Sequence, residues 1–63
     1  MRFDLYQALN QELTTRFGND SELKREWLNT YDQVLNKRPI DLFNSNVSVD
    51  ILFKYTKLIN NDL

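Results

Sequence analysis

The chain has 63 residues, eight Lys plus Arg against nine Asp plus Glu, no Cys, no His, one Gly and one Pro. Without thiols or imidazoles the usual zinc sites, cysteine nucleophiles, disulfide frameworks and histidine acid-base pairs are excluded together, so a self-contained enzyme is not expected. The lone Gly18 cannot build a glycine-rich phosphate loop, and a net charge of −1 provides no field to gather a polyanion, so neither a cofactor nor nucleic acid is the expected ligand.

From Arg2 to Phe17, apolar residues fall at Phe3, Tyr6, Leu9, Leu13 and Phe17, in steps of three and four. That spacing predicts an amphipathic helix, with Leu5 widening its inner stripe. Gly18 then stands where a left-handed residue ends a helix, because it has no Cβ to clash. Asn19 or Asp20 can cap the next helix, and Glu22 lies three residues after Asn19 as in a capping box. Its inward stripe is expected to be Leu23, Trp27, Leu28 and Tyr31, with Glu22, Lys24, Arg25 and Glu26 in water. Trp27 is read as a core residue, since Leu23 and Tyr31 share its face. Asn29, Thr30 and Asp32 are weaker helix formers and mark the end.

Residues 32 to 38 show no defensible period, and Val34 and Leu35 are expected to pin this connection to the core. Pro39 suits the first turn of a helix, and it drives Arg38 out of the helical region. A short third helix from Pro39 to about Asn44 would bury Ile40, Leu42 and Phe43. After the polar break, Ser48 or Asn46 is the expected cap of a last helix from Val49 to about Asn60. That helix carries Val49, Ile51, Leu52, Phe53, Tyr55, Leu58 and Ile59, more than one core face needs. The surplus predicts a second surface to cover, by a like chain or a different protein.

Nothing alternates with strand periodicity, so the expected fold class is all-α, one compact bundle of about four short helices spanning residues 1–63. Asp41, Asp50 and Asp62 lack the spacing of a metal site. No apolar run is long enough to cross a bilayer and the N-terminus lacks signal-peptide order, which makes a cytoplasmic chain the expectation.

The ordered series Leu13 to Asn19, Trp27-Leu28-Asn29, Leu35 to Phe43, then Leu52, Tyr55 and Ile59 resembles the C-terminal toxin-binding domain of the MbcA/ParS/Xre group of bacterial antitoxins. The resemblance runs over about residues 9 to 61. Phe17-Gly18 corresponds to the pair ending one helix of that family, Trp27-Leu28 to the pair on the next, and Pro39-Ile40-Asp41-Leu42-Phe43 to its proline helix. Departures are Asn36 and Lys37 in place of turn glycines, Arg38 where Thr or Ser precedes the proline, and Ser48 and Asn61 where glycines flank the last helix. No stretch here is long enough for the helix-turn-helix region usual in the family, so operator binding is not expected. The resemblance implies an antitoxin module that occludes the active site of a RES-type, NAD-consuming toxin. Mapped onto this chain, the partner-binding positions are Lys54, Lys57, Leu58, Asn60, Asn61, Asp62 and Leu63. The competing expectation is a self-associating structural or mobile-element accessory protein, dimerising through Leu52, Tyr55 and Ile59.

Overall fold

The structure, a computed structural model, describes residues 4–61; Arg2 and Phe3 of the first stripe, and Asp62 and Leu63 of the tail, lie outside the described residues. Three α-helices and one 3-10 turn follow in order: α1 (Leu5–Phe17), α2 (Ser21–Asn29), the turn Pro39–Leu42, and α3 (Asn46–Asn60). The all-α expectation holds, with three helices rather than four. Pro39–Leu42 makes only i to i+3 bonds, Asp41 N–H to Arg38 C=O (3.0 Å) and Phe43 N–H to Ile40 C=O (3.1 Å). Four residues cannot carry a cooperative α-helix, and the tighter turn is the form such short pieces take.

Each α-helix starts on a side-chain oxygen that answers its orphan N–H groups. Asp4 Oδ1 accepts from Tyr6 and Gln7 (3.1 and 3.2 Å), and Asp20 Oδ1 accepts from Glu22 and Leu23 (3.0 and 3.1 Å). Asp20 is therefore the α2 cap. Ser45 Oγ accepts from Ser48 N–H at 3.1 Å and opens α3. This corrects the expected cap at Ser48 or Asn46. A serine with extended backbone (φ −163°, ψ 160°) one residue earlier starts the helix at Asn46 and adds Val47 to it. Gly18 ends α1 with φ 68° and its N–H on Thr14 C=O at 2.7 Å, as its position implied.

The core is Leu9 and Leu13 from α1, Leu42 from the turn, and Val49 and Leu52 from α3, with Leu5, Phe17, Trp27, Leu28, Leu35 and Phe53 packed around it. Thr56 is buried with them, its hydroxyl satisfied by Leu52 C=O at 2.7 Å. The α1–α3 pair is thus the body of the domain, and α2 lies on its flank with no fully buried residue. Trp27 is half-buried beside Phe17, ring centroids 6.2 Å apart. Tyr31, beyond the end of α2, is exposed, and so is Leu23. Lys24, expected in water, instead reaches across to α1 and donates to Thr14 Oγ1 at 2.8 Å.

The 32–37 connection is an ordered turn. Asp32 N–H donates to Lys37 C=O (3.0 Å), Asn36 N–H donates to Asp32 C=O (2.8 Å), and Asn36 takes φ 59°. Leu35 packs on the core as expected. Val34 is 76 % exposed and pins nothing, because the Asp32 side chain holds the turn in its place. Ile40 is half-buried, and Phe43 is exposed with its ring edge on Tyr6 at 5.9 Å.

Candidate functional site

The α3 helix has two apolar faces. Val49, Leu52 and Thr56 fill the core side and are wholly buried. Roughly 180° round the helix, at about 100° per residue, lie Val47, Ile51, Lys54, Leu58 and Asn61. Val47, Ile51 and Leu58 are 73 %, 51 % and 64 % exposed. Asn61 keeps helical dihedrals (φ −68°, ψ −15°) and completes the row at the C-cap. Exposed leucines scattered singly need no explanation, but three aliphatic side chains in one row on the side away from the core do.

The row's steps are four, three, four, three, the narrow a/d spacing of a helix-helix seam rather than the broader stripe of a helix on a globular core. Asp50 and Lys57 border it on one side. Asp50 Oδ2 receives Lys54 Nζ at 2.9 Å, one turn along the same helix, with Lys54 largely in water and Asp50 half-buried. Lys57 Nζ lies 5.9 Å from the Phe53 ring centroid. The pattern is an aliphatic ridge, interrupted once by a lysine whose charge is already neighboured by a carboxylate.

Four of the residues expected to bind a partner come together here: Lys54, Leu58 and Asn61 in the row, and Lys57 at its border. Asn60 does not join them. Its Nδ2 donates to Glu12 C=O (2.8 Å) and Glu12 Oε1 (3.2 Å), tying the end of α3 to α1, while its Oδ1 is buried without a partner. Asp62 and Leu63 lie outside the described residues. Val47 was not among the expected site residues, because the expected helix began at Val49; the Ser45 cap makes Val47 helical and so brings it into the row one turn before Ile51. The other proposed dimer surface is not available, since Leu52 is wholly inside its own core.

Two further features are weaker. Phe17, Leu23, Glu26, Trp27 and Thr30 line a shallow open hollow of about 230 Å³ between α1 and α2. That is below the range of roughly 300–1,000 Å³ in which small-molecule pockets fall. Arg38 is turned onto Asp41, Nη2 to Oδ1 at 3.1 Å, and Asp41 Oδ2 also accepts from the Arg38 backbone N–H at 3.3 Å. The hydrogen bond from the guanidinium holds the Asp41 carboxyl below its usual value. Among the described residues no group of His, Cys, Asp or Glu could hold a metal ion, and no helix is long and apolar enough to cross a membrane. Comparison with family models, with curated proteins and with solved structures finds no match to this chain.

Proposed function

We propose that this chain is a non-catalytic protein-binding module of the bacterial cytoplasm, an antitoxin-like inhibitor that lays the outer face of α3 against its partner. The observation that carries the binding face is the aliphatic row Val47, Ile51 and Leu58 on the side of α3 away from the core. Covering what remains exposed of these three side chains contributes on the order of 4 kcal/mol. That is enough to matter in an interface and a cost in solubility when left open. A helix with one face in its own core and another offered outward fits the helix-in-groove mode of recognition, with Ile51 and Leu58 as i and i+7 anchors and Val47 one turn before them. The absence of Cys and His from the sequence supports inhibition by occlusion rather than by chemistry.

The partner class rests on the resemblance over residues 9 to 61: a RES-type toxin whose NAD site would be covered. In that arrangement Leu58 and Ile51 supply the apolar contact, while Lys54, Lys57 and Asn61 offer donors at the rim. The test is co-expression with a RES-type toxin encoded beside this chain, reading cellular NAD and growth. The wild-type chain is expected to restore both, and Ile51→Glu or Leu58→Glu, which alter exposed side chains only, to lose that protection. Unchanged toxicity with the wild-type chain, or full protection by both variants, overturns the reading.

A further inference from the structure

The residues bordering the α3 row narrow down what else covers it. We infer that two copies of this chain pair reversibly through α3, the helices running antiparallel, so that the outward row is covered by its own copy when no other partner is present. The inference rests on the reading of this face as a protein-binding surface and names a second copy as one of its occupants.

Three observations lead there. The first is spacing: Val47, Ile51, Lys54, Leu58 and Asn61 follow the four-three repeat that lets side chains of one helix enter the holes of another. A groove in a folded partner does not require so narrow a row, whereas a facing helix does. The second is direction. In antiparallel register Val47 meets the partner's Leu58, and Ile51 meets the partner's Lys54. Val47 and Leu58 then cover one another at both ends of the seam, and Asn61 extends past the partner's helix.

The third is charge. Asp50 and Lys57 stand on the same border of the row, seven residues apart and opposite in sign. Two antiparallel copies place each Asp50 beside the partner's Lys57, twice by symmetry. In parallel register Asp50 falls beside the partner's Tyr55 instead, and no Asp50–Lys57 pair forms.

The same features limit the strength. A stable interface takes about 800 Å² and 20 or more residues from each partner. This seam offers four facing positions and two bordering charges, one of the four being Lys54. A lysine in such a row fixes register at a cost in stability, and its neighbour Asp50 at 2.9 Å lowers that cost without removing it. The pair is therefore weak and exchangeable, with dissociation at about micromolar to millimolar concentration. A cognate partner with a larger surface displaces it.

Sedimentation equilibrium over micromolar to millimolar chain concentration tests this on the intact protein, with circular dichroism confirming the fold of each variant. The wild type is expected to pass from monomer to dimer, and Ile51→Glu and Leu58→Glu to stay monomeric while retaining wild-type helicity. Lys54→Ile is expected to dimerise about tenfold more tightly, because it replaces the one charged side chain of the row. Asp50→Lys and Lys57→Asp are each expected to weaken the dimer about threefold or more, and the double reversal to return it close to wild type. A wild type that is monomeric at millimolar concentration, a Lys54→Ile chain that pairs no better, or a double reversal that does not recover would each overturn the inference. If the wild type is monomeric yet Ile51→Glu still abolishes partner protection, the dimer falls and the binding face stands. If dimerisation behaves as described while partner protection ignores both glutamate variants, the binding-face reading of the partner falls and the dimer stands.

Discussion

Asp32 Oδ1 accepts from the backbone N–H groups of Val34 (2.8 Å) and Leu35 (3.1 Å), and its Oδ2 accepts from the Tyr55 hydroxyl at 2.9 Å. One carboxylate therefore shapes the 32–37 turn and fastens it to α3, which is why a stretch without hydrophobic period is nevertheless ordered. Burial, and then the bond to Asp32, raises the Tyr55 phenol above its ordinary value. With the folded value above the unfolded one, the stabilisation is complete below about pH 10 and disappears as pH rises past it. Tyr55→Phe is expected to cost about 1 kcal/mol at neutral pH and to show a shallower loss of stability between neutral and strongly alkaline pH, read by urea unfolding at each pH. Equal alkaline slopes in the two proteins would remove Tyr55 as a source of the pH dependence. Asn36, at φ 59°, sits in the left-handed region that Asn tolerates and Gly prefers. Its side chain also accepts from the Tyr31 hydroxyl, so Asn36→Gly relieves backbone strain and deletes one exposed bond. The two effects oppose, and the exposed bond is the smaller, so a gain of about 0.5 kcal/mol in unfolding free energy is expected. A loss of stability would mean that the tyrosine contact holds the turn.

At the scale of the element, the helices were legible where period and cap agree. The Leu9 and Leu13 stripe, the Gly18 stop, and the Val49, Leu52 row could all be read from spacing, because a helix buried along one face must repeat every three to four residues. The start of α3 was not, since Asn44, Ser45, Asn46 and Ser48 each favour caps and turns and periodicity cannot choose among them. The structure chooses Ser45, and the consequence reaches beyond three added residues: Val47 becomes helical and extends the outer row by one turn. Ser45→Ala is expected to lower stability by about 1 kcal/mol and to fray α3 back toward Val49. Amide exchange at Ser48 and Val49, whose N–H groups bond the Ser45 hydroxyl and carbonyl, reads that fraying, and unchanged protection there would place the helix start elsewhere. The α2 helix was legible as a helix but not as a flank, because Leu23 and Tyr31 have the right spacing yet stay exposed. Spacing tells which residues share a face; only the packing of α1 on α3 decides that the face of α2 is left half open.

For the whole molecule, size governs both stability and the meaning of an exposed row. The Cα radius of gyration is 11.2 Å, close to the roughly 10.6 Å expected for a folded chain of this length. A domain so small has about 3–9 kcal/mol of unfolding free energy to lose. The α3 helix offers an internal comparison, because Leu52 and Leu58 are the same residue on one helix, at 0 % and 64 % exposure. Leu52→Ala removes a fully buried side chain from between α1 and α3, at an expected cost of about 2–5 kcal/mol, enough to unfold much of the population at room temperature. Leu58→Ala removes a side chain that touches mostly water, and an isolated domain is expected to lose less than about 0.5 kcal/mol. If the outer row serves assembly, a concentration series brings out the cost of Leu58→Ala: the melting temperature of the wild type rises with chain concentration, and that of Leu58→Ala stays flat. Differential scanning calorimetry across that series reads both quantities from one protein pair. A Leu58→Ala chain destabilised as much as Leu52→Ala at low concentration would place Leu58 in the core and leave α3 with a single working face.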